Sequence, residues 1–333
     1  MQLRARAPAS ANPGELERDP DMLGAYVEDA SGRAPGRAAG LLRPETSDEV
    51  SAWLGATALD GSTVLPQAAR SSLTGGAVPD GDVVLSVERL RRIGPVEASG
   101  RGARVRVGAG VRLRELQDAL AARGWYFPPV PTYQEAMVGG AVSTNAGGAA
   151  TFKYGTTRAW VRGLTVALAD GHRVELERGQ WTVRAGGRIE VVRECGAPTT
   201  CVAPDWALPD VPKLSAGYHA AEPLDLVDLF VGAEGTLGVV VDATLDLAPL
   251  PAAVLTAVAF PTTMASAHAL AATLRERAIA IRDGGTGAGP DVRAIEIVDD
   301  RGLALLRAHG DASRLRVEIP GDASAAILLE AEL

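Results

Sequence analysis

The sequence predicts an α+β chain in two parts, and three observations carry that reading. Strand, helix and strand follow one another at βαβ spacing between Ala38 and Pro66. Short strands broken by glycines then run on to Leu247, and Pro249 with Pro251 marks a boundary. Beyond that boundary the order is β-α-β-α-β. The expected layout is a helical lead-in over 1–35, a main domain over 36–250 and a smaller, partial domain over 251–333.

Asp21 to Asp29 predicts a short helix with Leu23, Tyr26 and Val27 on one side, ended by Gly32. Ala38 to Pro44 is the first strand, and Thr46 or Ser47 caps a helix running through Val50, Trp53, Leu54 and Ala58. Thr63 to Pro66 is the second strand, expected parallel to the first. The loop Gln67–Ala77 leaves its carboxyl end, the place where open α/β sheets bind ligands. Pro66, Gln67, Ala68, Ala69, Arg70, Ser71 and Ser72 are its candidate ligand contacts, because successive N–H groups of small residues can form an anion nest; an ordinary βα connection is the alternative. Strands follow at Val83–Val87, Ile93–Ala98 and Ala103–Val107, then a helix from Leu113 to Ala122 with Leu113, Leu116 and Leu120 at helical spacing. Trp125 to Pro131 concentrates aromatics, and its three prolines fix an extended path. Gly163–Ala169 and His172–Leu176 predict a hairpin around Asp170-Gly171, with His172 exposed beside the turn. Residues 178–224 read as irregular, Asp225–Phe230 as a short helix, Val231–Gly238 as a tight turn and Val239–Leu247 as an apolar strand. The remainder reads as strand Ala253–Phe260, helix Thr262–Arg277, a Gly-rich loop around Gly284 to Gly289, strand Val292–Val298, helix Asp300–Ala308 and strand Ala325–Leu333, an order that suits a ferredoxin-like domain.

Composition excludes several classes. Hydrophobic residues make up 47% of the 333, enough for a sizeable core. A formal charge of −8 with no large basic face argues against nucleic acid as a partner. Arg104, Arg106, Arg112 and Arg114 read as a solvated strand-and-helix edge. Cys195 and Cys201 fit no zinc spacing and no disulfide framework, so both are expected as reduced structural thiols, and no metal site is expected. No G-x-x-x-x-G-K-[ST] occurs, and Gly108-Ala-Gly110 has Leu113 where the third glycine of a dinucleotide fingerprint belongs. Apolar runs are too short to span a bilayer and the N-terminus lacks an apolar leader, so the expected location is cytoplasmic.

The stretch Met137–Gly155 holds five glycines and few bulky side chains, so it offers bare backbone to a ligand. Val138, Val142, Phe152 and Tyr154 are apolar anchors that a flexible linker would lack. We read it as a ligand cradle with Met137, Gly139, Gly140, Ser143, Asn145, Ala146, Gly147, Tyr154 and Gly155 as contacts.

Four stretches in this order resemble FAD-linked oxidases of the vanillyl-alcohol-oxidase type, most closely the glycolate oxidase and D-lactate dehydrogenase group. Pro66–Val78 resembles their pyrophosphate loop, Phe127–Pro131 the proline turn before the flavin, Val138–Gly155 the flavin segment, and Val231–Gly238 the turn that returns along the cofactor. The resemblance implies a two-lobed PCMH-type FAD-binding domain followed by a partial cap domain. It implies non-covalent FAD, with Pro131, Glu234, Gly238 and Val240 added to the cofactor contacts. It also implies oxidation of a small-molecule 2-hydroxy acid by hydride transfer to flavin N5, with an electron acceptor of unspecified kind.

Two departures stand out. The first loop carries Ala68, Ala69 and Arg70 where the family commonly has consecutive glycines, so either the loop keeps negative φ there or FAD binds less tightly. The family's Gly-His-x-Gly-Asp-Gly-Asn-x-His type of motif is absent from this sequence, which reads as that of a fragment or truncated product. Its last strand is expected to be an exposed edge prone to self-association. For the base near the substrate hydroxyl, His219 and Lys213 are the local candidates, with Tyr218 positioned to hold a carboxylate. A flavin-binding fragment with little turnover is the alternative function, and a non-flavin glycine-rich binding protein is a third.

Overall fold

A computed structural model describes residues 1–8, 14–100, 102–129, 131–194, 197–211, 213–215, 217–284, 289, 291–309 and 318–333. The chain divides into two compact units, one of residues 1–147 and 156–249, the other of residues 148–155 and 250–333. It therefore crosses between them within the glycine-rich stretch as well as at the proline boundary.

The first unit begins with a strand, Gln2–Ala5, whose Leu3 and Ala5 are buried in the main core. It runs parallel to Arg188–Arg193, which pairs antiparallel with Thr199–Val202. The lead-in is thus not purely helical, and 178–224 is not wholly irregular. The three pieces are only four to six residues long, too short to show the alternation that marks a strand. The predicted helix over 21–29 is shorter than expected, an α-helical turn Pro20–Leu23 continued by the 3₁₀ turn Gly24–Tyr26.

Next comes a three-stranded parallel sheet of Arg37–Leu42, Asp80–Ser86 and Val64–Gln67. The first two strands of the βαβ unit are parallel as expected, but not adjacent: Asp80–Ser86 lies between them and pairs with both. Helix Ser47–Asp60 connects them; Thr46 accepts from the Glu49 N–H at one end and Gly61 takes φ 77° at the other. A cluster of Leu42, Val50, Leu85, Ala109, Met137 and Val241 joins this lobe to the next.

The second lobe is built on a six-stranded sheet, ordered Ile93–Ser99, Gly102–Gly108, Val239–Pro249, Val161–Ala167 and Arg173–Glu177, with Trp125–Tyr126 paired to the end of the central strand. Helix Leu113–Ala121 places Leu113, Leu116 and Leu120 in its core at the predicted spacing. The arginines Arg104, Arg106, Arg112 and Arg114 are ion-paired with Asp246, Asp242 and Glu135. The hairpin forms around Gly171 at φ 83°. His172 is buried, contrary to expectation, because the turn packs against helix Ser47–Asp60: a Cβ on Gly171 would stand 2.4 Å from the Ser51 carbonyl oxygen. Cys201 is exposed, so it is not a core thiol, and Cys195 lies outside the described residues.

In the second unit, strands Val254–Ala259 and Asp291–Val298 both run antiparallel to Ala326–Glu332, which lies between them. This is a split β-α-β arrangement with helix Met264–Arg282 as the crossover and Asp300–Ala308 as the second helix. Ala326–Glu332 is therefore the central strand and not the exposed edge that its position in sequence implied. The glycine-rich loop predicted at 284–289 lies mostly outside the described residues.

Candidate functional site

The loop after Val64–Gln67 is closed at its base by the Gln67 side chain. Gln67 is buried, and its Nε2 donates to the Tyr26 carbonyl at 2.7 Å and to the Ala77 carbonyl at 2.6 Å. Its amide therefore braces the loop, and its Oε1 is buried without a partner among the described residues. Arg70 adopts φ 55°, at a cost of roughly 1–2 kcal/mol, and its guanidinium stacks 4.6 Å from the centre of the Tyr26 ring. The loop does not keep negative φ throughout, and the Arg70 charge rests on an aromatic face. Among the described residues, the backbone N–H groups of Ala69, Arg70, Ser71 and Ser72 have no protein partner.

The cradle opens as a six-residue helix, Val138–Ser143. Its glycines serve close packing: a Cβ on Gly139 would stand 2.7 Å from that of Ala109, and one on Gly140 would stand 3.1 Å from that of Ala68. The left-handed residues of the stretch are Asn145, at φ 46°, and Gly155, at φ 72°. Met137 and Val240 are core residues with buried side chains. The turn Val231–Gly238 docks on this helix, with the Gly232 N–H donating to the Val142 carbonyl at 3.0 Å and the Glu234 N–H to the Ser143 carbonyl at 2.9 Å. Gly235 faces Pro66 and Gly238 packs on Ala167, while the Glu234 carboxylate reaches towards Gly76. Three stretches far apart in sequence, 66–76, 138–145 and 231–238, thus converge, and Ala68, Gly140 and Ser143 lie at their meeting point.

The candidate catalytic loop borders the same place. The Asn145 side chain is fully buried and fully used: Oδ1 accepts from the Arg158 N–H at 2.9 Å, and Nδ2 donates to the Leu214 carbonyl at 3.1 Å. The Asn145 amide is thus engaged with Arg158 and Leu214. Lys213 is exposed, and the Tyr218 hydroxyl lies 2.7 Å from Thr236 Oγ1. His219 is half-buried; burial, reinforced by the Arg158 and Arg178 charges against the opposing effect of Asp228, holds its imidazole below the usual range. Those two arginines flank buried Asp228: Arg178 grips its carboxylate at 2.8 and 2.9 Å, while Arg158 donates to its carbonyl and, at 2.6 Å, to that of Val231. Isolated arginines in sequence read as solvated, so nothing there marks this cluster.

Tyr154 and Gly155 belong to the second unit. There the Tyr154 hydroxyl contacts both Glu332 carboxylate oxygens at 2.6 and 2.7 Å. Lys153 pairs with Glu332 at 2.5 Å and with Asp291. Pro131 and Gly147 are half-buried, as is Ala146, whose carbonyl accepts from Thr157. Among the described residues no cluster of His, Cys, Asp and Glu could hold a metal ion.

The row of unpartnered N–H groups at 69–72 suits a diphosphate, and half-buried Ala68 and Gly140 pack together beside it. These features define a flavin-binding fold. Residues 38–177 match the FAD binding domain family, and FAD is the cofactor that this match indicates. The chain is 35% identical over 210 residues to a D-lactate dehydrogenase of Archaeoglobus fulgidus, covering 63% of this chain and 38% of that protein. It is 31% identical over 241 residues to a D-2-hydroxyglutarate dehydrogenase of Xanthomonas citri pv. viticola, covering 71% and 42%. It is 29% identical over 228 residues to the glycolate oxidase subunit GlcD of Bacillus subtilis, covering 68% and 40%. The chain thus spans about two fifths of the length of these relatives. A solved alkyldihydroxyacetonephosphate synthase shares the fold, with a TM-score of 0.66 at 15% identity over 97% of this chain and 57% of that one.

Proposed function

We propose that the chain is the flavin-carrying part of an FAD-dependent oxidoreductase that oxidises a small 2-hydroxy acid of the D-lactate or glycolate class. The convergence of 66–76, 138–145 and 231–238 supports it, because three stretches of small residues, one of them carrying the unpartnered backbone donors of 69–72, meet at one place. When bound, FAD supplies the hydride acceptor. In this reading the N–H groups of residues 69–72 hold the diphosphate, and the backbone at Gly139, Gly140, Ala146 and Gly147 lines the ring. His219, kept neutral at pH 7 by its surroundings, accepts the substrate hydroxyl proton at a ring nitrogen. Lys213 attracts the substrate carboxylate to the same loop, and Tyr218 keeps that loop in place through Thr236.

Among the described residues no helix is long and apolar enough to cross a membrane, and we assign the protein to the cytoplasm. Self-association through the second unit is part of the same reading. The alternative, a flavin-binding piece with little turnover of its own, is favoured by the 38–42% coverage of the relatives. Anaerobic mixing with D-lactate, glycolate and D-2-hydroxyglutarate, followed at the flavin absorbance band, separates the two. Rapid bleaching by one of them supports the enzyme, and a bound but unreduced flavin supports the alternative. Acid precipitation should release all the flavin as FAD; flavin held in the pellet would rule out non-covalent binding.

A further inference from the structure

We propose that Asn145 is a positioning residue that registers Leu214, and with it the stretch Gly217–His219, against the flavin-side backbone, with Thr236 as a second pin. The proposal rests on the flavin reading for its consequence in catalysis, but not for its geometry.

Asn145 is completely buried and left-handed at φ 46°. Asn is among the few residues other than glycine that tolerate this conformation. Glycine would take the φ as easily, so the demand for a side chain comes from the two amide bonds. Oδ1 accepts from the Arg158 N–H, fixing the start of the turn that carries the Arg158–Asp228 pair. Nδ2 donates to the Leu214 carbonyl, 69 residues away. Such a donor cannot be supplied by Asp, and it joins the glycine-rich stretch directly to the loop bearing His219.

The second pin lies at the other end of that loop. The Thr236 hydroxyl donates to the Ala233 carbonyl at 2.6 Å, so the Tyr218 hydroxyl, 2.7 Å away, is the donor to Thr236 Oγ1. Between the pins the Gly217 carbonyl oxygen lies 3.6 Å from where a Cβ on Gly232 would stand. The segment is therefore fastened to two of the three converging stretches. His219 follows directly, and its imidazole feels the charge of Arg158, whose own backbone N–H is held by Asn145. One side chain thus holds both the Leu214 end of the loop and the backbone of the arginine whose charge acts on the imidazole.

The test uses the whole chain with FAD bound, and compares Asn145→Asp, Asn145→Gly and Tyr218→Phe with the parent. The first readout needs no turnover: the rate of tryptic cleavage after Lys213, located by mass spectrometry. Asn145→Asp keeps the acceptor for Arg158 and loses the donor to Leu214. It should cleave about fivefold faster, as expected for loss of one hydrogen bond that holds the segment, with FAD content unchanged. Tyr218→Phe should accelerate cleavage in the same direction, and serves if the Asn145 variants do not fold. Cleavage at the parental rate in folded Asn145→Asp, or in Tyr218→Phe where neither Asn145 variant folds, would overturn the proposal.

The second readout is reduction by D-lactate. Asn145→Asp should lower the bleaching rate roughly 10²-fold, the scale of an ångström-level misplacement. A parental bleaching rate in the folded, FAD-loaded variant would overturn the catalytic consequence. A parent that no 2-hydroxy acid reduces would instead defeat the functional reading, leaving the cleavage result to decide the geometry.

Discussion

At the scale of single residues, the two helical glycines of the cradle face different neighbours and should respond differently to the same substitution. A Cβ on Gly139 meets both the Cβ and, at 3.1 Å, the carbonyl oxygen of Ala109, which is anchored in the core. Gly139→Ala is expected to destabilise by about 1–3 kcal/mol, the usual cost of overpacking, read as a lower urea midpoint with unchanged slope. Gly140→Ala meets only Ala68 on a half-buried loop that can yield. It should leave the urea midpoint nearly unchanged and weaken FAD retention instead. Equal losses of stability in both would show that the loop is as rigid as the core. His219 gives the pH dependence. Its imidazole titrates below 6.5 in the folded chain, so the unfolded state takes up a proton first as pH falls. The associated stability is present above pH 6.5 and is lost as pH falls through the folded value. The acid limb of flavin reduction should accordingly lie below 6.5, and a limb above it would remove His219 as the proton acceptor.

At the scale of elements, the buried Asp228 holds a helix, a strand and a turn together. It joins Leu226–Phe230 to Arg178 after strand Arg173–Glu177 and to Arg158 in the turn before Val161–Ala167. Asp228→Ala would leave two half-buried arginines without their carboxylate, and should cost about 3 kcal/mol in thermal or urea unfolding. A loss below 1 kcal/mol would mean that water replaces the pair. This cluster also marks where the sequence stops being legible. Strands such as Val239–Pro249 and the face Leu113, Leu116, Leu120 could be read because burial there repeats with the period of the element. The ends of the three site loops could be read because small residues and turn chemistry cluster there. What joins them could not: Gln67 to Tyr26 and Ala77, Asn145 to Leu214, and Arg158 to Asp228 are single side chains reaching across 10 to 70 positions. No local pattern encodes such a partner. The same holds for His172, whose burial is imposed by a helix more than a hundred residues earlier.

At the scale of the whole molecule, the decisive difference between sequence and structure is the place of the last strand. Read in order, Ala326–Glu332 comes after its neighbours and looks like an edge; in the sheet it lies between Val254–Ala259 and Asp291–Val298 and is paired on both sides. The edges are the other two strands, and they are unequal. Asp291–Val298 is braced by charge: Arg282 and Lys153 offset the effect of burial on Asp291 and hold its carboxyl below the usual range. Val254–Ala259 carries no charged residue, and Val254, Leu255 and Val258 are 38%, 47% and 40% exposed. An uncharged edge strand with apolar side chains in solvent is the feature that natural sheets guard against with lysine, proline or a covering element. If the chain self-associates, this strand is the expected seam. Light scattering on the purified chain should show association that rises with concentration, and Val258→Lys should reduce it while leaving the flavin content and the melting temperature near those of the parent. Val258 pairs with Leu328 and is itself 40% exposed, so the lysine can extend into solvent without breaking the ladder. Association that persists in Val258→Lys would place the seam elsewhere, and a monodisperse parent would remove the need for one.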